Sequence, residues 1–491
     1  MREREFLKER YGAIFCNTGM ILSLVGLLMF LPLLTILAYP RESMHFWAFA
    51  APGGILALFG LCLWRFLRSS LSSPLTTGDG GVIVLVSWVV AVLFSAWPFS
   101  AILNLEFSRA VFEAVSGWTT TGLSVVDVQS AGPMILLWRS VMQLAGGAGL
   151  AIIMISSIVG APGVGLSSAE GRSDQLVPHV LQSARLVLAI YSGYALAGIV
   201  AYKLAGMSVF DAVNHSFAAV STGGFSTRVE SIGHWDSTAV EAVTIPLMLL
   251  GNLSFVTAWF LLQGNFRSTW RNGEVRLMMV VIPLSTAALF LLTSSALYPL
   301  MGKSLRVSVF ETVTALTTTG FSTVSYEKWD PFGIIVLIVL MLIGGGTCST
   351  AGGIKQFRIY ALWKLTIWEL RRQVLPKTTV MTRSMWEGDR KVFLEDARAR
   401  QIGVFLFVYL AAFLAGTAVL CACGYSIRDS LFEFASAIGT VGLSIGVTSA
   451  HMHDAALWAE TVAMFLGRLE FMVILVSLWR LAKDARLFIS W

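Results

Sequence analysis

The chain has 491 residues, 56% of them hydrophobic and 13% charged, with a formal net charge of +6 and a mean hydropathy of +0.74. So little charge excludes an ordinary soluble domain, whose surface needs far more ionised side chains. Five scattered cysteines (Cys16, Cys62, Cys348, Cys421 and Cys423) show no metal-site spacing and read as buried free thiols.

In chain order, two hydrophobic segments come first, at about 13–38 and 46–67. Each approaches the roughly 20 apolar residues that cross about 30 Å of hydrocarbon. The first is too long for a signal-peptide core and lacks a clear cleavage site. Further apolar stretches include Val82–Leu103, Leu186–Leu204, Ile334–Ile343 and Val404–Cys423. Lys and Arg cluster beside such segments: Arg2, Arg4, Lys8 and Arg10; Arg65 and Arg68; Arg267, Arg271 and Arg276; eleven residues within Lys355–Arg400; and Arg480, Lys483 and Arg486. Cytoplasmic loops carry this excess, so both termini and these loops are expected in the cytoplasm. Because each basic group flanks a hydrophobic segment, a nucleic-acid partner is not expected.

An internal repeat organises the rest. Four hexamers align without gaps: TTTGLS at 119–124, STGGFS at 221–226, TTTGFS at 317–322 and GTVGLS at 439–444. Every one has Thr second, Gly fourth, Leu or Phe fifth and Ser sixth. A short amphipathic stretch precedes each: FEAVSGW at 112–118, NHSFAAV at 214–220, FETVTAL at 310–316 and FEFASAI at 432–438. About ten residues cannot span a bilayer. The unit therefore reads as helix, re-entrant half-helix, extended loop, helix. The expected division is 1–80 for two leading helices, then repeats at 81–165, 166–275, 276–400 and 401–491. Two leading crossings and two per repeat bring all four windows in from the outer face. The fold class expected is all-α and polytopic, with four tandem repeats around a pseudo-fourfold path.

Irregular backbone at membrane depth must be buried in protein or line a watery cavity. A cation path uses such backbone directly, carbonyl oxygens replacing the ion's water. Gly122, Gly224, Gly320 and Gly442 permit the positive φ that this needs. Thr120, Thr121, Thr222, Gly223, Thr318, Thr319, Thr440 and Val441 supply the remaining oxygens. The C-terminal ends of the half-helices bring partial negative charge toward a central cation. Glu113, Glu311 and Glu433 stand nine residues before their glycines, and His215 takes that place in repeat two, one turn after Asp211. These acids brace the windows or attract cations, or else stabilise helix N-termini.

The windows, with GNFRSTWRNGEVRLMM at 264–279, GGGTCSTAGGIK at 344–355 and LGRLEF at 466–471, resemble the TrkH/KtrB/HKT superfamily of potassium transporters, and the TrkH branch most. The last window holds the Thr-Val-Gly of potassium-channel filters without the following Tyr-Gly. The resemblance implies K+ at the filter residues named, no other cofactor, no enzymatic activity and a homodimer. It also implies cytosolic TrkA-type nucleotide-binding subunits and multi-pass insertion in a plasma membrane, here a prokaryotic inner membrane. Some plant relatives with Ser for the first filter Gly favour sodium; four glycines here favour potassium.

In that family a Gly/Ser-rich loop breaks repeat three's second helix beneath the filter and acts as a gate. Here it corresponds to Gly344, Gly345, Gly346, Thr347, Cys348, Ser349, Thr350, Ala351, Gly352 and Gly353. Its glycine content cannot sustain a helix, although small residues also serve close helix packing. Arg468 is a lone charge in an apolar segment and by default functional. It reads as a pore charge, against a salt bridge elsewhere or snorkelling; Glu470, two residues on, does not share its helix face. Arg371, Arg372 and Lys377 in the basic loop suit either a docking surface or simple positive-inside bias. Gated conduction and symport with sodium or protons both remain open. A membrane enzyme would need convergent catalytic groups, and His451 and His453 lack partners for that role.

Overall fold

The computed structural model describes residues 2–68, 75–147, 180–376, 382–387, 390–469 and 471–489. The end of repeat one's second segment, the boundary expected at 165/166, Lys377 and Glu470 lie outside them. Six described helices are long and apolar enough to cross a membrane, or eight if each of two sharply bent pairs is one span. Large apolar side chains such as Leu58, Leu284, Phe407 and Leu414 are exposed around them, as a lipid-facing belt requires.

The leading pair, Arg2–Leu28 and Phe46–Leu67, is joined by two short turns that each begin near a proline, Pro32 and Pro40. The helices cross where Gly26 and Gly60 leave no room for a Cβ against the opposing backbone, the small-residue contact common between membrane helices.

Four half-helices follow the expected plan: Phe107–Trp118, Val209–Val220, Met301–Leu316 and Ile427–Ile438. Twelve residues, the length of three of them, rise about 18 Å, well short of a bilayer. Ser208 and Ser426 cap the second and fourth by accepting the backbone N–H of Asp211 and Asp429. Spanning helices Thr77–Leu103, Val180–Leu204 and Asp396–Ala422 lead into repeats one, two and four. Repeat three's entry, Gly273–Leu297, passes through a π turn at Phe290–Ser294.

The return limbs are less regular than the sequence suggests. Repeat three's Pro331–Ile343 stops at Gly344, and a new helix starts only at Gln356. Repeat two also breaks: Thr238–Asn252 and Phe255–Leu262 meet at 119°. Leu253 is extended there, and Ser254 caps the second piece by accepting the Thr257 N–H. In repeat four the chain turns by 101° between Asp454–Leu469 and Phe471–Leu487.

One small departure from an all-helical chain lies in the basic loop, where Ser384–Glu387 and Arg390–Phe393 form an antiparallel hairpin. Met385 and Leu394 bury there against Phe357, Trp368 and Ile402. That apolar cluster gives a charged segment a core of its own.

A buried ionic knot ties the chain's two ends to repeat one. Arg10 Nε donates to Asp79 Oδ1 (2.6 Å), Arg480 Nη2 lies 3.2 Å from the same oxygen, and Arg10 Nη2 lies 3.3 Å from Asp484. Asp79 is fully buried and also caps its own helix with Thr76. Removing one partner of a buried pair strands the other, at about 3–5 kcal/mol. Asp79→Ala is therefore expected to lower the melting temperature of the detergent-purified protein by several degrees; an unchanged melting curve would show that the knot contributes nothing.

Candidate ion pathway

Each half-helix ends in the same way. The second-position threonines, Thr120, Thr222, Thr318 and Thr440, have φ of 55°, 51°, 52° and 50°. Their N–H groups bond back to Gly117, Ala219, Ala315 and Ala437 carbonyls, while the third-position N–H groups reach Ser116, Ala218, Thr314 and Ser436. This is a Schellman ending, whose left-handed position usually holds Gly or Asn. A β-branched residue there is strained by about 1–3 kcal/mol, and four equivalent sites carry it. The ending turns the chain sharply out of the half-helix and sets the fourth residue, at φ of 94°, 73°, 80° and 96° for Gly122, Gly224, Gly320 and Gly442.

The windows meet in a closed ring. A Cβ on Gly122 would collide with the carbonyl oxygen of Gly223, one on Gly224 with that of Thr319, one on Gly320 with that of Val441, and one on Gly442 with that of Thr121. The order is repeat one to two to three to four and back to one. Third-position carbonyls thus alternate with fourth-position glycines around one circle, with no space for a side chain between neighbours. Above the ring a cavity of about 740 Å³ is lined by all four glycines and by Ser124, Ser226, Ser322 and Ser444.

Third-position side chains vary because they are spent behind the ring. Thr121 and Thr319 hydroxyls bond the first-position Thr119 and Thr317 at 2.7 and 2.8 Å. Gly223 has no side chain, and Gln143 fills the space, donating to the Gly223 carbonyl and accepting the Phe225 N–H. The Thr120 and Thr440 hydroxyls are buried with no hydrogen-bond partner.

The acids hold the chain just past three of the four windows. Glu113 accepts from Ser124 Oγ and the Val125 N–H; Glu311 from Thr323 N–H and hydroxyl and from Tyr326 Oη; Glu433 from Ser444 Oγ and the Ile445 and Thr448 N–H groups. All three are fully buried, and none lies in its half-helix's first turn. His215 Nε2 sits 2.9 Å from Ser226 Oγ and Nδ1 2.8 Å from the Asp211 carbonyl. Arg139 joins two repeats: Nε donates to Glu113 (2.7 Å), Nη2 to Ser124 Oγ (2.9 Å) and Nη1 to the Ser226 carbonyl (3.0 Å). Arg139 and Gln143 are not among the residues expected from the sequence. Their signal was present: two polar side chains four apart in PMILLWRSVMQL, judged by the rule that singled out Arg468.

Residues 344–353 lie against three of the second-position threonines. The Gly352 N–H donates to Thr318 Oγ1 (2.8 Å), Thr222 Oγ1 to Thr350 Oγ1 (3.0 Å), and Gly352 abuts Thr440. The break in repeat two receives the loop's other side. Gly346 N–H meets Asn252, Phe255 N–H meets the Cys348 carbonyl, and the Thr347 N–H donates to Glu274 (2.7 Å). Ser349 Oγ closes onto the Gly346 carbonyl, and Gln356 supports Gly344 and Gly345. Gly353 (φ 79°) packs on Gly344 (φ 70°) to close the loop's neck, and Ala351 is fully buried. Arg468 donates to the Thr350 carbonyl and, at 2.8 Å, to the Gly146 carbonyl of repeat one. It thereby links the loop to the opposite side of the ring.

Comparison with known proteins agrees with this architecture. The chain is 31% identical to the Trk system potassium uptake protein TrkG of Escherichia coli, over 93% of this chain and 96% of that one. It is 30% identical to the Trk system potassium uptake protein TrkH of Halomonas elongata, over 94% and 99%. The crystal structure of the potassium transporter TrkH from Vibrio parahaemolyticus superposes with a TM-score of 0.83 at 27% identity, covering 95% of this chain and 98% of that one. The family model for TrkH, described as a cation transport protein, matches residues 48–487, and the chain belongs to that family of helical membrane transporters.

Proposed function

We propose that this chain takes up potassium across the plasma membrane through a gated, channel-like path, with the four windows as its selectivity filter. The closed order of third-position carbonyls and glycines supports this most, since a ring of oxygens on one axis is what a dehydrated alkali ion needs. The half-helices point their C-terminal ends at it, adding favourable potential for a cation. The membrane potential supplies about 2.3 kcal/mol per charge per 100 mV, enough to concentrate potassium without a coupling ion. Symport with sodium or protons is the alternative. Reversal potentials under imposed sodium, proton and potassium gradients separate the two.

Residues 344–353 serve as the gate, held shut by Arg468 and by the second-position threonines. A homodimer and cytosolic TrkA-type nucleotide-binding subunits complete the proposed assembly. The folded basic loop, with Arg371 and Arg372 exposed on Gln356–Val374, offers those subunits a docking face. Both termini lie in the cytoplasm in this reading, in a prokaryotic inner membrane, consistent with their basic flanks.

Flux through the purified protein in liposomes, compared for potassium, rubidium, sodium and lithium, tests the filter. Wild type should favour potassium and rubidium. Gly122→Ser, Gly224→Ser, Gly320→Ser and Gly442→Ser each place a side chain against a neighbouring carbonyl at positive φ, at about 1–2 kcal/mol of backbone strain alone. Each should lower the potassium-to-sodium ratio roughly tenfold or abolish flux; retained discrimination in all four would overturn the assignment. Arg468→Ala removes two charge-assisted hydrogen bonds, of about 1.5–3 kcal/mol each. Potassium flux should then rise roughly tenfold, and unchanged flux from inserted protein would leave Arg468 a purely structural role.

A further inference from the structure

Repeat four departs from repeat one at a buried charge. Gly146, Gly251 and Gly467 are equivalent, because a Cβ on each would strike the carbonyl of the last half-helix residue, Trp118, Val220 and Ile438 respectively. Seven residues before each stand Arg139, Thr244 and Glu460. In repeat one the arginine neutralises Glu113. In repeat four a second carboxylate occupies that place, facing Glu433 through one residue. The Thr448 N–H donates to Glu433 Oε1 (2.9 Å) and its hydroxyl to Glu460 Oε2 (3.0 Å). Glu460 is fully buried, and its Oε1 has no partner.

Among the described residues, the cations of the surrounding elements are not paired with Glu460. The half-helix of repeat one brings Arg109, engaged with Glu106 and Asp454, and Glu113, engaged with Arg139. The half-helix of repeat four brings Glu433, with Arg428 and Asp429 near its start. Helix Asp396–Ala422 has Asp396, Arg398 and Arg400 in its opening turns and Tyr409 further along. Helix Phe471–Ile489 has Arg480, Lys483, Asp484 and Arg486 in its second half. On Glu460's own helix, Asp454 and Arg468 stand toward the two ends, with His451 and His453 just before it. Arg468 is committed to two carbonyls. Among the described residues none forms a salt bridge with Glu460.

We propose that repeat four binds a proton on Glu460, which stands in for the arginine of repeat one and lets Glu433 remain ionised as the brace of the window. Two adjacent buried carboxylates cannot both stay charged cheaply. Glu433 receives three donors and is the better anion; Glu460 receives one and is the group that holds the proton. Thr448 lines the outer cavity, so the proton exchanges with external water beside it. Release at alkaline external pH leaves two carboxylates on one threonine, repelling across the segment that steadies Gly442. The proton itself does not depend on the filter reading; its effect on ion flux does.

The test is infrared spectroscopy of the reconstituted protein with hydrogen–deuterium exchange, alongside rubidium flux at a series of external pH values. Wild type should show a protonated-carboxyl stretch near neutral pH that vanishes in Glu460→Gln and shifts, without vanishing, in Glu460→Asp. Wild-type flux should fall as external pH rises, and Glu460→Gln should flatten that fall. A band untouched by both substitutions would overturn the proposal, as would an unaltered pH profile in Glu460→Gln. If the band behaves as expected while flux shows no ion preference, the proton site stands and the filter reading fails.

Discussion

Peptide groups that leave a helix at membrane depth need partners, because hydrocarbon offers none. The chain meets that demand four times with one device. A threonine in the left-handed position ends the half-helix, its neighbours' N–H groups turn back to helix carbonyls, and the following carbonyls are left around a common circle. Everything else supports that circle. Buried Glu113, Glu311 and Glu433 fix the segment beyond three of the windows and His215 meets Ser226 beyond the other, Arg139 and Gln143 stitch repeat one to repeat two, and the Gly344–Gly353 loop closes the underside. The strain of four β-branched residues at positive φ persists only because these contacts over-determine the backbone.

The repeats are alike in backbone and unlike in bracing. Repeat one neutralises its acid with arginine, repeat two substitutes His215, repeat three uses Tyr326, and repeat four has Glu460. A single polypeptide allows this, since each quarter mutates independently. The asymmetry lies behind the ring, and the third-position side chains show why it is tolerated: Thr, Gly, Thr and Val differ only on the face turned away from the circle. Below it, one repeat supplies the loop and another the notch at Leu253 that receives it.

Much of this was legible in the residue string, and for identifiable reasons. The windows stood out because their fourth-position glycines are forced by backbone geometry, which repeats wherever the fold repeats. The break at Gly344 was legible because glycine cannot sustain a helix there. The turn at Leu253 was not, since a single extended residue after GN leaves no compositional trace. The left-handed threonines ran against local propensity and were fixed by tertiary contacts. Arg139, Gln143 and Glu460 each looked like an isolated polar residue until the fold set it beside a partner. The hairpin at Ser384–Phe393 escaped notice because its small apolar core is drawn from three separated segments.

The central claim is that one ion sits where the four chain segments meet. Crystals grown with thallium in place of potassium test it most directly, through the anomalous difference map. The account predicts a peak on the axis among the carbonyls of Thr121, Gly223, Thr319 and Val441, removed by back-soaking in potassium and not by sodium. A map with no peak there, or one that sodium clears as readily as potassium, would contradict it.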